Sequence, residues 1–115
     1  QESTPSVSIT ATINEVIIEI SEKRLGATAV LEKSQLRGII TDGDLRRMLE
    51  KGDGFTTLTA TDIMCESPKT INIDALAYDA LALMESNNIS QLIVMDGQQY
   101  KGIVHIHEII KEGVV

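Results

Sequence analysis

Residues 38–49 read GIITDGDLRRML, in which the end of an apolar strand runs directly into the start of a helix. The junction carries the hydroxyl of Thr41, the glycine Gly43, and the carboxylates of Asp42 and Asp44. Exposed N–H groups at a helix start favour anions, and the partial positive charge of the helix end adds to this attraction. Because a carboxylate such as that of Asp44 can also accept two hydrogen bonds from a vicinal diol, the junction suits a phosphorylated sugar or a nucleotide.

An ordinary structural role is the alternative interpretation of this junction. Thr41 and Asp44 also have the spacing of a capping box, in which Thr41 caps the helix and Asp44 lies favourably in its first turn. Such patterns begin many helices that bind no ligand. Both interpretations stay open until the rest of the chain is considered.

Composition narrows the class of protein. With 115 residues, of which 43% are apolar, the chain can form one compact unit or two small halves that share a core. Aromatic residues make up only 3%, so we expect a core of aliphatic side chains and methionine. Ten basic and seventeen acidic side chains give a formal net charge of −7, which disfavours a nucleic-acid or anionic-membrane partner.

Several other classes lack their sequence signature. The single cysteine, Cys65, cannot form an intrachain disulfide or supply a thiolate cluster, and no segment approaches the ~20 apolar residues of a membrane helix. Residues 1–8 lack the basic start and apolar run of a signal peptide, so we expect cytoplasmic residence. There is no P-loop, G-x-G-x-x-G or nucleophile elbow, and we expect no catalytic residues here. Since the chain begins without Met, we expect it to be a piece of a longer protein.

An internal repeat at an offset of 64 residues organises the chain. It is gapless, and it includes both identical pairs and pairs that keep only apolar character. Gly38-Ile39 falls on Gly102-Ile103, Val30 on Val94, Gln35 on Gln99, Ile9 on Ile73 and Ile20 on Met84. Each copy is short for an independent fold, so we expect the two to pack face to face around one core.

Each copy has the pattern β-α-β-β-α. In the first copy we predict strands at 6–10, 27–31 and 36–40, joined by a helix that begins at a Thr12–Glu15 capping box and ends at Gly26. A hairpin at 32–35 and a second helix at 42–51 follow. After a linker at 52–58 and one helical turn at 61–64, the second copy repeats the order, with strands at 70–73, 91–95 and 100–105 and helices at 78–87 and 106–112. The predicted fold class is α+β, with two β-α-β-β-α motifs packed as a pseudo-two-fold pair.

With both copies laid out, the chain resembles a tandem pair of CBS domains, a regulatory module that binds adenosine-containing and other nucleotides. The resemblance covers nearly the whole chain and is carried by GIITDGD at 38–44 and GIVHIHE at 102–108. It implies residues 1–58 as the first motif with its linker and residues 59–115 as the second. It also implies that Thr41 and Asp44 hold phosphate and ribose in a cleft completed by the other copy. The residues implied for that completion are Thr70, Ile71 and Leu92, and Thr28 is included among the ligand-binding residues.

The second copy departs from this pattern, since His105 stands where the hydroxyl is expected and Glu108 where the aspartate is expected. A longer carboxylate can still reach a diol, but an imidazole changes the local shape and charge. We therefore interpret the first junction as nucleotide-like and leave the second as a candidate. His105 and His107 with Glu108 also suggest a metal, but no further His or nearby Cys completes a set, so we expect no metal site.

A narrower resemblance is carried by TDGDLRR at 41–47, HIHEII at 105–110 and the final GVV. It is similar to the CBS-bearing D-arabinose 5-phosphate isomerases, which interconvert ribulose 5-phosphate and arabinose 5-phosphate for Kdo and lipopolysaccharide synthesis. This implies a missing sugar-isomerase domain that precedes the pair, and a fragment with no catalysis and no required cofactor. AMP, ADP or ATP would be the ligand by family resemblance, or a CMP-sugar as an end product of the Kdo route.

Two function hypotheses follow. The leading one is a ligand-sensing module, with a homo-oligomer expected, that biases the isomerase domain. The alternative is a structural oligomerisation cap whose clefts hold no ligand. Three cations are open in the same way: Arg46 and Arg47 either contact a ligand phosphate or a neighbouring subunit, or lie on a solvated face, and Lys69 either reaches an anion in the cleft or is an exposed turn residue.

Overall fold

Two three-stranded sheets of identical topology form the frame of the molecule. The structure, a computed structural model, describes residues 4–52 and 54–111. The first copy contains β1 (Ser6–Ser8), α1 (Ile13–Lys23), β2 (Ala27–Glu32), β3 (Gln35–Thr41) and α2 (Asp42–Glu50). A 3₁₀ turn (Phe55–Thr57) and a short helix, α3 (Ala60–Ile63), lead to the second copy. That copy contains β4 (Thr70–Asn72), α4 (Ala77–Asn87), β5 (Gln91–Asp96), β6 (Gln99–His105) and α5 (Ile106–Lys111).

The repeat extends to the strand register. In each sheet the first strand pairs in parallel with the second, which forms an antiparallel hairpin with the third. Ser6 lies opposite Ala29, and Thr70 lies opposite Ile93, 64 residues further on. The hairpins even share an irregularity, which falls after Val30 in one and after Val94 in the other. The predicted α+β fold and its doubled β-α-β-β-α order are confirmed.

The local chemistry of the helix ends agrees with the sequence at one end of α1 and differs at the other. The Thr12 hydroxyl accepts the Glu15 N–H at 3.2 Å, and the Glu15 carboxylate accepts the Thr12 N–H at 2.8 Å, as predicted. The expectation that Gly26 ends the helix was wrong, because Arg24 takes the left-handed conformation (φ 62°) and donates its N–H to Ile20. Gly26 follows with φ 73°, where an added Cβ would lie 2.8 Å from the Gln91 amide nitrogen. That glycine therefore serves the contact between the copies.

The core joins the two copies through their sheets. One cluster lies between α1 and the first sheet, a second lies between the sheets, and a third lies between the second sheet and helices α4 and α5. The middle cluster draws on both copies and contains Leu25, Ala27, Ile39, Ile93 and Ile103. The expectation of two halves that share one aliphatic core is confirmed.

Two polar contacts cross the same boundary. The Gln91 amide donates to the Leu25 carbonyl at 3.2 Å, and the Tyr100 hydroxyl donates to the Pro5 carbonyl at 2.6 Å. Burial, reinforced by the negative charge of Glu19, raises the pKa of Tyr100 well above its ordinary value. The hydroxyl therefore keeps the proton that it donates across the boundary.

The helix that opens the second copy packs on the first. Ala60 of α3 is fully buried in the core cluster around α1, and its N–H donates to the Ala11 carbonyl at 2.9 Å. Just beyond α3, Cys65 exchanges two backbone hydrogen bonds with Ile39 of β3, at 2.8 and 3.0 Å. Residues 59–65 thus form a cover over one face of the first copy, and we call this segment the cover.

Within the described residues, every helix is too short or too polar to cross a membrane.

Candidate functional site

The junction between β3 and α2 is locked by its own side chains. The Thr41 hydroxyl accepts the Asp44 N–H at 3.2 Å, while Asp44 Oδ2 accepts the Thr41 N–H at 2.9 Å and the Thr41 hydroxyl at 3.1 Å. The other carboxylate oxygen, Oδ1, accepts from Arg47 Nη2 at 2.5 Å. The capping box considered as the alternative interpretation is therefore present. It also holds a hydroxyl and a carboxylate side by side at the start of a helix.

These side chains face a cleft of about 290 Å³. The first copy contributes Ile39, Thr41 and Asp44 to its walls. The connecting segment and the second copy supply the rest: Cys65, Ser67, Pro68, Lys69, Asn87, Ile89 and Gln91. The cleft thus lies between the copies, with isoleucines on its apolar walls and polar groups from both copies around them.

The charges in this cleft have opposite signs. Asp44 is partly buried, whereas Lys69 is exposed and approaches from the connecting segment before β4. A carboxylate can accept from a diol, an ammonium group can bind a phosphate, and an apolar wall can contact a flat base. The lining therefore contains the three kinds of contact that a mononucleotide needs.

The residues implied for the far side of the cleft lie close to it but face elsewhere. Thr70 is exposed on β4, Ile71 packs against the third core cluster, and Leu92 is fully buried in that cluster. Their chain neighbours Lys69 and Gln91 line the cleft instead. Because successive side chains of a strand point to opposite faces, an offset of one residue moves a side chain out of the cleft.

Thr28 also lies away from this cleft. It is fully buried on β2, and its hydroxyl donates to the Ala29 carbonyl at 3.2 Å. Asn87, Gln91 and Ser67 line the cleft and were not among the expected site residues. The available signal for Gln91 was its place as the polar first residue of an otherwise apolar strand.

The second junction reproduces the cap with different groups. His105 Nδ1 accepts the His107 N–H at 3.0 Å, and Glu108 Oε1 accepts the His105 N–H at 3.0 Å. The two imidazole rings are stacked, with centroids 4.8 Å apart and planes 18° from parallel. Burial lowers the pKa of His105 below its ordinary value, and the charge of His107 adds to this, while Glu108 opposes it. A neutral ring is the form that can accept at Nδ1.

His105 and Glu108 do not join Thr41 and Asp44 in one site. Glu108 lies at a separate groove on the second copy, described below. In the part of the chain that the structure describes, no three His, Cys, Asp or Glu side chains come together in a way that could hold a metal ion.

Comparison with known proteins identifies this arrangement. The sequence profile of the CBS domain matches twice, at residues 2–51 and 60–114. Arabinose 5-phosphate isomerase KdsD from Yersinia pestis is 40% identical over 112 residues, which are 96% of this chain and 34% of that protein. The chain therefore spans about a third of the length of that relative, and the match lies in its CBS part.

Solved structures agree on the fold. A CBS-domain containing protein from Agrobacterium tumefaciens superposes with a TM-score of 0.87 at 17% identity, covering 96% of this chain and 90% of that one. A CBS domain protein from Pyrobaculum aerophilum, solved in complex with AMP, gives 0.84 at 21% identity, covering 97% and 92%. With two profile matches that together span most of its length, the chain belongs to the CBS domain family and is a tandem pair of CBS domains.

Proposed function

We propose that this chain is the regulatory module of a sugar-phosphate isomerase similar to arabinose 5-phosphate isomerase, and that it binds a nucleotide in the cleft beside Thr41 and Asp44. The observation that carries the proposal is the cleft itself, in which Thr41 and Asp44 of one copy face Lys69 from the start of the other. A ligand in that position contacts both copies, so its binding energy depends on their relative arrangement.

The lining suggests how a mononucleotide would lie. Its ribose diol would take up Asp44, and its phosphate would approach Lys69, the Thr41 hydroxyl and the first N–H groups of α2. The base would rest on the apolar walls given by Ile39 and Ile89. A cleft of about 290 Å³ lies at the small end of the range for ligand pockets, which favours a mononucleotide over a larger nucleotide-sugar.

Adenosine nucleotides are the ligands that we favour. The structural relative from Pyrobaculum aerophilum was solved with AMP, which makes AMP the first probe to use, with ADP and ATP after it. A CMP-sugar stays a prediction from the narrower resemblance alone. His105 and Glu108 are proposed as the corresponding groups of a second, altered cleft.

Ligand binding would change the partners of Asp44. In the structure Oδ1 accepts from Arg47, whose side chain is 62% exposed. A ribose diol that reaches Oδ1 would displace the guanidinium, which then becomes free to approach the phosphate. Arg47 thus competes with the sugar for Asp44 and is available to the anion.

Regulation would follow from this bridging position. A ligand that binds one arrangement of the two copies more tightly shifts the population toward that arrangement, and an attached isomerase domain would respond to the shift. We place that domain upstream of the pair, keep the division at residues 58 and 59 as the boundary between the copies, and expect a homo-oligomer in the cytoplasm.

A structural oligomerisation cap is the second candidate. The observation that favours it is a set of large apolar side chains exposed on the helices, including Ile18, Leu49 and Tyr78, which are 55%, 51% and 74% exposed. Such side chains suit contact with a second copy of the chain.

Thermal unfolding separates the two candidates. The midpoint would be measured with AMP, ADP, ATP, CMP and arabinose 5-phosphate, for the unmodified chain and for Asp44→Ala. A ligand at 100 times its dissociation constant adds about 2.7 kcal/mol of stability, and we expect AMP to do so only when Asp44 is present.

Asp62→Ala is the matched control. Asp62 accepts the Thr59 N–H at 2.8 Å in a capping box of the same residue types, but it does not line the cleft. It should lose a cap and keep the ligand shift. If no nucleotide shifts the midpoint at millimolar concentration, the sensing role is wrong and the oligomerisation cap stands.

A further inference from the structure

The second copy carries an apolar groove that is filled at the equivalent place in the first. This groove has a volume of about 280 Å³. Among residues 4–52 and 54–111, no segment occupies it. Its lining includes Ile73, Val94, Gly102, Val104, Glu108 and Ile109, and we call it the copy-two groove.

The internal repeat identifies what fills the same place in the first copy. The positions 64 residues earlier are Ile9, Val30, Gly38, Ile40, Asp44 and Leu45. Ile9, Val30, Ile40 and Leu45 pack with Ala60, Ile63 and Met64 of the cover. Backbone contacts fasten it, since the Thr61 N–H and hydroxyl both donate to the Ile9 carbonyl, at 3.2 and 2.8 Å. The copy-two groove is therefore the counterpart of the surface that the cover occupies.

A glycine marks how closely the cover approaches. A Cβ added at Gly38 would lie 2.6 Å from the Cys65 carbonyl oxygen and 2.8 Å from the Met64 sulfur. Gly102, whose φ of 150° also favours glycine, stands at the repeat position and lines the copy-two groove. The second copy thus has the same clearance for a segment passing over its outer strand.

The outer strand also has the hydrogen-bonding edge that the cover uses. Ile39 lies opposite Ala29 and directs its N–H and carbonyl outward to Cys65. Ile103 lies opposite Ile93 in the same register, so its N–H and carbonyl point away from β5 in the same way. A segment that combines one helical turn with a single strand-like residue would satisfy both the groove and the edge.

Where the cover lies in the chain determines the occupant. The cover immediately precedes β4 of the second copy and packs on the first copy. In a pair related by a pseudo-two-fold, the segment that immediately precedes the first copy packs on the second. Subtracting 64 from positions 60–64 gives positions upstream of residue 1, in the part of the parent protein where the proposed function places the isomerase domain.

We propose that the segment immediately upstream of residue 1 in the parent protein packs into the copy-two groove and connects the isomerase domain to the second CBS domain. This proposal rests on the proposed function for the existence of that upstream domain. The segment should present a small residue in the place of Ala60 and apolar residues in the places of Ile63 and Met64. It would lie beside Glu108, so a movement of one copy against the other would be passed to the connection.

The test compares two chains without any nucleotide, so that its failure is distinct from failure of ligand sensing. One is the 115-residue chain, and the other carries the parent's own upstream linker at its N-terminus. We expect the linker to raise the unfolding midpoint by at least about 4 °C, and to protect the amides of β6 and α5 from hydrogen exchange.

Ile73→Lys should abolish that gain, since Ile73 lines the copy-two groove and is 48% exposed in the short chain. Ile18→Lys is the matched control, because Ile18 is similarly exposed, at 55%, but lies on α1 of the first copy. Its variant should keep the full gain.

Three results would overturn the proposal. The linker could leave the midpoint unchanged, or its gain could survive Ile73→Lys. Alternatively, the short chain could self-associate in sedimentation experiments and lose that association with Ile73→Lys, which would make a second copy the occupant.

Discussion

At the end of β3, a threonine hydroxyl caps α2 and an aspartate returns to the threonine N–H at 2.9 Å. At the end of β6, an imidazole nitrogen caps α5 and a glutamate returns to the histidine N–H at 3.0 Å. The backbone is the same in both places, since a cap requires only an acceptor of suitable reach. The chemistry offered to a ligand differs, because a hydroxyl is small and both donates and accepts, whereas an imidazole is bulky and titrates. Capping alone therefore tolerates the exchange, while a nucleotide site depends on it.

The surroundings of the two junctions differ as well. The strand that leads to the first junction is covered by residues 59–65, and Cys65 holds Ile39 through two backbone hydrogen bonds. The strand that leads to the second junction borders the copy-two groove. The first junction is thus supported on both sides, and changes near it should be the more costly.

The largest effect is expected from Gly38→Ala. The new Cβ would lie 2.6 Å from the Cys65 carbonyl oxygen, a backbone atom that cannot move without displacing the cover. Overpacking of this kind costs 1–3 kcal/mol, and we expect about 3 kcal/mol, measured by urea unfolding.

Gly43→Ala provides the control for this prediction. Its nearest neighbour would be 3.4 Å away, on the flexible Arg47 side chain, and it lies within α2. Alanine should be neutral there or stabilise by up to about 1 kcal/mol. Equal effects of the two substitutions would contradict the close contact at the cover.

A smaller effect is expected from removing the caps themselves. Thr41→Ala removes the acceptor for the Asp44 N–H and should cost about 1 kcal/mol, whereas Thr41→Ser should restore most of it. His105→Ala should cost less, because α5 is shorter than α2 and its cap lies at an exposed position. A larger loss at His105 than at Thr41 in urea unfolding would reverse the comparison.

The smallest effect is a dependence on pH confined to the second junction. Burial lowers the pKa of His105 in the folded chain, so the unfolded chain binds the proton more readily. The contribution of His105 to stability is therefore fully present above its ordinary pKa of about 6.5, and it decreases as the pH falls from there toward the lower folded value. His105→Thr should flatten this part of the stability curve, and an unchanged curve would show that another group is responsible.

Much of the fold could be predicted because the same pattern occurs twice. Each strand and helix was supported by its counterpart 64 residues away, and errors were confined to ends such as Gly26, where the left-handed position went to Arg24 instead. Strand ends also differ by a residue or two, since they depend on the partner strand rather than on local pattern. The predicted turn at 61–64 was close to α3 at Ala60–Ile63.

The site was harder to predict, because it depends on contacts between distant residues. Thr41 and Asp44 belong to a local motif that the sequence displays. Which neighbours complete the cleft depends on the register of β4 against β5 and on which face each residue takes. An offset of one residue separates Lys69 from Thr70 and Gln91 from Leu92. The packing of the cover on the first copy had no local signal either, since it became apparent only when both copies were assembled.

The most direct test of the account is a titration of the ¹⁵N-labelled chain with AMP, followed by amide chemical shifts at the two junctions. We predict saturable shifts at residues 41–44 and at Lys69 and Gln91, with little change at residues 105–108. Shifts centred on residues 105–108, or no shifts at millimolar AMP, would contradict the claim that the first junction is the nucleotide site.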